Sequence, residues 1–227
     1  MRRAAAAICF VAACAMPTPA SAQPGVEVDR VVVRFESPEL GGADLPQFVF
    51  ARELAFEARL EALAEARRGF PATVAFEDRH LRSALERHIA EVILQRLPAE
   101  PPVSNEDLRL RSVSAWLELE QRVGGRSPLL SAATAEGLEQ EDLNELVLRQ
   151  AHASLYLDRM VAPLLEPSNA ELRDALITEP TPFRGQPFDQ VATPLRHWYV
   201  EDRVVSALAS FYQSARARIR IVTVARE

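Results

Sequence analysis

Two β-branched segments stand at opposite ends of the chain's foldable part, and everything between them has helical periodicity. Residues 26–35 (VEVDRVVVRF) read as a strand, with charges interspersed among valines. Residues 217–225 (ARIRIVTVA) read as another, in which Ile219, Ile221, Val222 and Val224 alternate with Arg218 and Arg220. A lone strand leaves a row of backbone N–H and C=O groups unpaired, so two isolated strands in a helical chain persist only by pairing. The sequence therefore predicts that the first strand meets the last. The fold class that follows is mainly α: a multi-helix domain closed by a two-stranded ribbon.

The helices are punctuated clearly. Residues 45–68 turn helical, with Pro46 suited to a first turn and Gly69 and Pro71 as the stop. Residues 77–97 form the plainest helix, carrying Leu81, Leu85, His88, Ile89, Val92, Ile93 and Leu97 on one stripe. After Pro98, Pro101 and Pro102, Ser104 caps the next helix with Asp107 at its third position. Leu110, Val113, Trp116, Leu117 and Val123 read as the apolar side of that helix, which Gly124 and Gly125 end. Residues 131–136 suggest a short turn closed by Gly137. Residues 139–162 suggest a long helix with an acidic start and a stripe of Leu143, Leu146, Val147, Ala151 and Leu155. Ser168 and Glu171 form a capping box for a helix to residue 177. A break at 179–187 precedes a last helix over 188–215, with Phe188, Val191, Leu195, Trp198, Val205, Ala209 and Tyr212 in register.

The first 22 residues read as an export signal. Arg2 and Arg3 form a basic start, residues 4–15 an apolar run too short to span a bilayer, and Ala20-Ser21-Ala22 a small-residue cleavage site. Cleavage after Ala22 is the expectation; Val11-Ala12-Ala13-Cys14 offers lipidation at Cys14 as the alternative. The expected compartment is the periplasm, or with Cys14 lipidated, a lipid anchor in the cell envelope. Removing Arg2 and Arg3 from a chain of 26 basic and 32 acidic residues leaves a net charge of −8. That acidity disfavours nucleic acid and anionic membranes as partners. Cys9 and Cys14 would leave with the signal or be modified, so a single domain over residues 23–227 must be held by its own core. No later segment is apolar enough to span a membrane.

Little in the chain suggests catalysis. All 26 basic residues are Arg, which removes Schiff-base and phosphate-loop lysines, and there are only 8 Gly. No Gly-x-Ser-x-Gly or His-Glu-x-x-His occurs. His80 and His88 are about two turns apart, too far for one metal. His88 on its apolar stripe reads as a core-edge histidine with a hydrogen bond, and His152 and His197 as helix-surface residues. No catalytic residue, metal or cofactor is assigned. The remaining candidates are aromatic: Phe48, Phe50, Phe56, Trp116, Tyr156, Trp198 and Phe211 read as core packing or as a surface for client chains. If helical, Phe48 and Phe50 lie about 200° apart and do not share a face.

Six pieces of the chain, in order, resemble the SurA-like periplasmic chaperone module of parvulin-type folding factors. They are Val28-Asp29-Arg30-Val31-Val32, residues 87–94 (RHIAEVIL), Val103-Ser104-Asn105-Glu106-Asp107-Leu108, the Arg-containing helix over 143–161, residues 167–173 (PSNAELR) and residues 216–221 (RARIRI). Two features depart from the family. Residues 36–42 (ESPELGG) replace its Asn-Gly hairpin turn, and only residues 178–187 stand where its prolyl isomerase domain would be inserted. About ten residues cannot hold a catalytic domain. The resemblance implies an ATP-independent holdase without isomerase activity, not an enzyme, that binds unfolded exported or outer-membrane proteins through an apolar cleft between helices. A scaffold or assembly subunit with one fixed protein partner is the alternative.

Overall fold

A computed structural model describes residues 29–38, 45–67 and 76–224. The expected signal segment, with Cys14 and Ala22, lies outside the described residues, as do Gly69 and Pro71.

The first and last strands do pair. β1 (Val31–Glu36) and β3 (Arg220–Thr223) run antiparallel, with Arg34 opposite Val222 and Phe35 opposite Ile221. The ribbon has a third member: β2 (Gln47–Phe50) pairs with the other side of β1, in the order β2-β1-β3. Two expectations are corrected here. The sheet has three strands, and residues 47–50 are not helical. Gln47-Phe48-Val49-Phe50 combines β-formers with alternation: Val49 is fully buried while Phe48 and Phe50 face outward. Pro46 fits the start of a strand as well as the first turn of a helix, so its position could not discriminate.

Helix α1 (Ala51–Arg67) therefore starts later than its pattern suggested. Helices α2 (Asp78–Arg96) and α3 (Asn105–Val123) follow the predicted limits, and the Ser104–Asp107 capping box is formed. Gly124 and Gly125 end α3 with φ of 101° and 121°, a region where only glycine is free of strain. Helix α4 (Arg126–Ala135) starts there, five residues before the turn expected at 131. Helix α5 (Gln140–Tyr156) widens to a π turn over Leu157–Val161 and tightens to a 3-10 turn over Ala162–Leu165, where Pro163 supplies no N–H to continue the α pattern. Helices α6 (Asn169–Thr178), capped by Ser168 and Glu171 as expected, and α7 (Phe188–Arg216) complete the chain. The molecule is mainly helical with a small antiparallel sheet built from its terminal strands.

The core has three parts. Val33, Phe35 and Val49 of the sheet pack on Ile89 and Ile93 of α2 and on Tyr212 and Ala215 of α7. Phe56 and Leu60 of α1 pack with Leu119 of α3, Leu129 of α4, and Leu143 and Leu146 of α5. Leu172 of α6 meets Val191 and Leu195 of α7. Helix α7 thus spans two packing regions. Between them Val205 and Ala209 are exposed, so its expected stripe is interrupted there.

The face of α3 is also corrected. Val123 and Trp116, expected on the apolar side, do pack in or against the core, together with Ala115 and Leu119, whereas Leu110, Val113 and Leu117 are 54%, 55% and 52% exposed. The helix carries two apolar stripes about half a turn apart, and periodicity cannot say which one is covered. The two faces should respond differently to truncation. Leu119→Ala is expected to cost about 2–5 kcal/mol, and Leu117→Ala less than about 0.5 kcal/mol, in urea unfolding. Equal losses would overturn this assignment of faces.

Candidate functional site

The most unusual feature is a group of charges buried between helices. On α1, Glu53 and Glu57 are one turn apart and share a face. On α2, Arg87, His88 and Glu91 lie within little more than a turn, and α5 contributes Arg149. Arg149 Nη2 donates to Glu57 Oε1 at 2.5 Å, its Nε to Glu91 Oε2 at 3.1 Å, and its Nη1 to Glu53. His88 Nδ1 lies 2.9 Å from the same Glu57 oxygen. Arg87 sits on the other side, with Nη2 3.5 Å from Glu57 Oε2 and Nε 3.6 Å from Glu91 Oε1, and it also pairs with Glu61.

Three carboxylates thus converge on one guanidinium, Glu57 and Glu91 buried and Glu53 partly exposed. Burial pushes Glu57 up, but the charge of Arg149, the hydrogen bond and charge of His88, and the charge of Arg87 outweigh it and hold the carboxyl at about 2. Burial also pushes Glu91 up, and there the repulsion of Glu57 adds to it, so Glu91 stays above the ordinary carboxylate range despite its contacts with both arginines. Burial would lower Arg149; the charges of Glu57, Glu91 and Glu53 more than compensate and raise it. Oxygens of Glu53 and Glu57 and a ring nitrogen of His88 lie within 4.8 Å of one another, a spacing that suits a metal ion. Arg149 takes the cation's place instead, since it already donates to both carboxylates. His88 is the hydrogen-bonded buried histidine that its stripe predicted. His80 caps α2, accepting from the Glu77 N–H at 2.9 Å and lying 3.1 Å from Glu65.

Above this network lies a groove. A cavity of about 620 Å³ has Glu53, His88 and Arg149 among its lining residues, together with Phe48 and Phe50 of β2, Val92 of α2 and Leu148 of α5. A second, more apolar cavity of about 570 Å³ runs between α3 and α5, against Val113, Trp116, Leu117 and Val147. Glu145 and Leu148 line both cavities. The first reaches β2 and α2 and the second α3, and ten of the sixteen residues lining the first are polar or charged. The exposed apolar groups along the two include Phe48 (48%), Phe50 (40%), Leu148 (41%), Val113 and Leu117.

The seven aromatic candidates divide accordingly. Phe48 and Phe50 share a face because they sit two apart on a strand, and both line the first cavity. Trp116 lines the second, with its indole N–H donating to Glu120. Phe56 is completely buried in the core and cannot reach a partner. Trp198 packs against the α6–α7 core and Phe211 against the sheet core. Tyr156 is half-buried at the end of α5 and lines neither cavity of the groove. Residue-type reasoning missed Leu148 and Arg149. Arg149 carried no periodic signal, since it lies two residues from both Val147 and Ala151 of the buried stripe, about 200° round the helix from each.

The fold and site define a helical protein with a small terminal sheet, an ion network between three helices and an open groove above it that carries exposed aromatic and aliphatic groups among polar ones. No known family model, curated protein or solved structure matches the chain.

The network sets the pH dependence of stability. Glu57 is held from its usual 4.5 down to about 2. Its contribution, about 3 kcal/mol, is therefore full above about pH 4.5 and lost as pH falls towards 2. Glu91 is shifted the other way, so its contribution is present at low pH and lost as pH rises through its raised value. Urea midpoints should show Glu57→Gln destabilised by about 3–5 kcal/mol near pH 7, with the acid limb flattened. Glu91→Gln should gain on the wild type as pH rises above the ordinary carboxylate range. A deficit of Glu91→Gln that is constant with pH would exclude the repulsion described.

Proposed function

We propose that this protein is an ATP-independent holdase of the cell envelope that binds unfolded exported or outer-membrane proteins, without prolyl isomerase activity. The observation that carries this reading is the run of exposed apolar groups along the two cavities: Phe48, Phe50 and Leu148 in the first, otherwise polar one, and Leu148, Val113 and Leu117 in the second, mostly apolar one. Contiguous exposed apolar surface in a groove is kept at a cost in solubility, and its usual return is the binding of another chain. The exposed groups are aliphatic and aromatic, which suits clients that share stickiness but no sequence. Holding requires no energy source: affinity for the unfolded state lowers its free concentration and so its rate of association.

Two further facts support the reading. The segment between α6, ending at Thr178, and α7, beginning at Phe188, is too short for an inserted catalytic domain. No described helix is long and apolar enough to cross a membrane. The expected export signal and the resemblance in the order of the chain's segments support a periplasmic location for this activity.

In light scattering, the purified chain at equimolar ratio is expected to slow aggregation of a urea-denatured outer-membrane β-barrel protein diluted into buffer without nucleotide. The double variant Val113→Asp, Leu117→Asp should keep the wild-type circular dichroism and melting, because both positions are exposed, and should lose most of the protection. Wild-type protein that gives no protection would overturn the proposal. Co-purification of one stoichiometric partner in place of a mixed client set would favour a scaffold instead.

A further inference from the structure

We infer that the groove selects for charge: its occupant is a non-native polypeptide segment in which a Lys or Arg lies among apolar residues, the cation being met by Glu145. The inference rests on the holdase reading and names the class of segment that is held. Glu145 lines both cavities, beside Leu148 on α5. Its side chain is exposed and makes no ion pair or hydrogen bond with any described residue.

Of the other charges that line the two cavities, the acids Asp29, Glu53 and Asp142 each accept hydrogen bonds, and Arg52 and Arg96 stand as cations of the first cavity only. Arg109 pairs with Glu106 at 2.7 Å, Arg149 and Glu53 belong to the buried network, and Asp142 accepts the Glu139 N–H at 2.7 Å at the start of α5. Arg96 lines the first cavity only and donates to Gln47. Glu141, one turn before Glu145 and also exposed and unpaired, is accounted for by the helix dipole, which favours acids in the first turn. Glu145 lies beyond that turn, and no contact with a described residue accounts for it.

Its consequence appears on binding. In the free protein water solvates the carboxylate. A segment that covers Leu148 must strip part of that water, and a carboxylate losing its solvent without gaining a cation is costly. A segment with a basic side chain at this point supplies the cation, a neutral one leaves the charge bare, and an acidic one adds repulsion. Discrimination therefore comes mostly from penalising the wrong segment. The chain's acidic balance acts in the same direction at longer range.

Fluorescence anisotropy with three labelled unstructured peptides tests this. They share one apolar sequence of about twelve residues and differ only in a central Arg, Gln or Glu. The wild type is expected to bind them in the order Arg, Gln, Glu, with roughly a tenfold span at low salt. Glu145→Gln should compress the span to about twofold or less, and Leu148→Ser should weaken all three. Equal binding of the three by wild type, an unchanged span in Glu145→Gln, or no binding of any peptide would each overturn the inference. The light-scattering assay separates the two readings: protection of the β-barrel client by wild type leaves the holdase standing when the peptide order fails, and absence of protection removes both.

Discussion

Arg149 is the point on which the arrangement of α1, α2 and α5 depends. A guanidinium is planar and offers donors in fixed directions, so three carboxylates can satisfy it only if their helices stand in one relative register. Glu53 and Glu57 fix α1, Glu91 fixes α2, and the arginine comes from α5. Apolar contacts between these helices would tolerate sliding by part of a turn; the ion network does not, because a displaced carboxylate would be left buried and unpaired. Its net stabilisation is modest, since desolvation of so many charges offsets most of the attraction. What it contributes is a unique packing, with His88 and Arg87 closing the remaining sides of Glu57.

The same network explains how a groove with exposed apolar groups can stay open. An exposed apolar cleft ordinarily closes by side chains collapsing into it. Here the floor of the first cavity includes Glu53, His88 and Arg149, whose polar atoms are committed to one another, and residues such as Phe48 and Leu148 gain little by folding down onto them. The walls come from elements fixed elsewhere: β2 by its ladder to β1, α5 by Leu143 and Leu146 in the core, α3 by Leu119 and Val123. The outward stripe of α3 stays uncovered because no described element packs over it, α4 being turned back onto α1 and α3 by the glycine pair.

These relations also mark what was readable in the chain. Pairing of the terminal strands followed from a local argument, the cost of unpaired backbone, and so did the capping boxes at Ser104 and Ser168 and the ends of α2 and α3. Each depends on residues close in sequence. The errors arose where two local patterns were equally good. Gln47-Phe48-Val49-Phe50 fitted a helix start or a strand, and only pairing with β1 decides. Leu110-Val113-Leu117 and Ala115-Leu119-Val123 both made acceptable faces of α3, and only the position of α5 decides. The network was least legible of all. Glu53, Glu57 and Glu61 recur at every fourth position, which reads as a solvated face, and nothing local to α1 shows that Arg87 and Arg149 arrive from about 30 and 90 residues away.

A rigid floor and an unspecific wall also constrain how selectivity can arise. If the groove holds client chains as proposed, its apolar groups, Phe48, Phe50, Leu148 and Val113, have no directional preference for one chain over another, most of the polar groups of the first cavity are engaged within the protein, and Arg149 cross-links the frame against reshaping around each client. Discrimination must then come from a fixed group that is neutral in cost when the groove is empty and expensive when it is wrongly filled. An exposed carboxylate beside an apolar residue meets that condition: water solvates it at rest, and only a cation can replace that water once it is covered. Glu145, beside Leu148 on the lining of both cavities, is placed to do this. A chain could therefore be held loosely by apolar contact along the two cavities, while its charge at one point determines how long it stays.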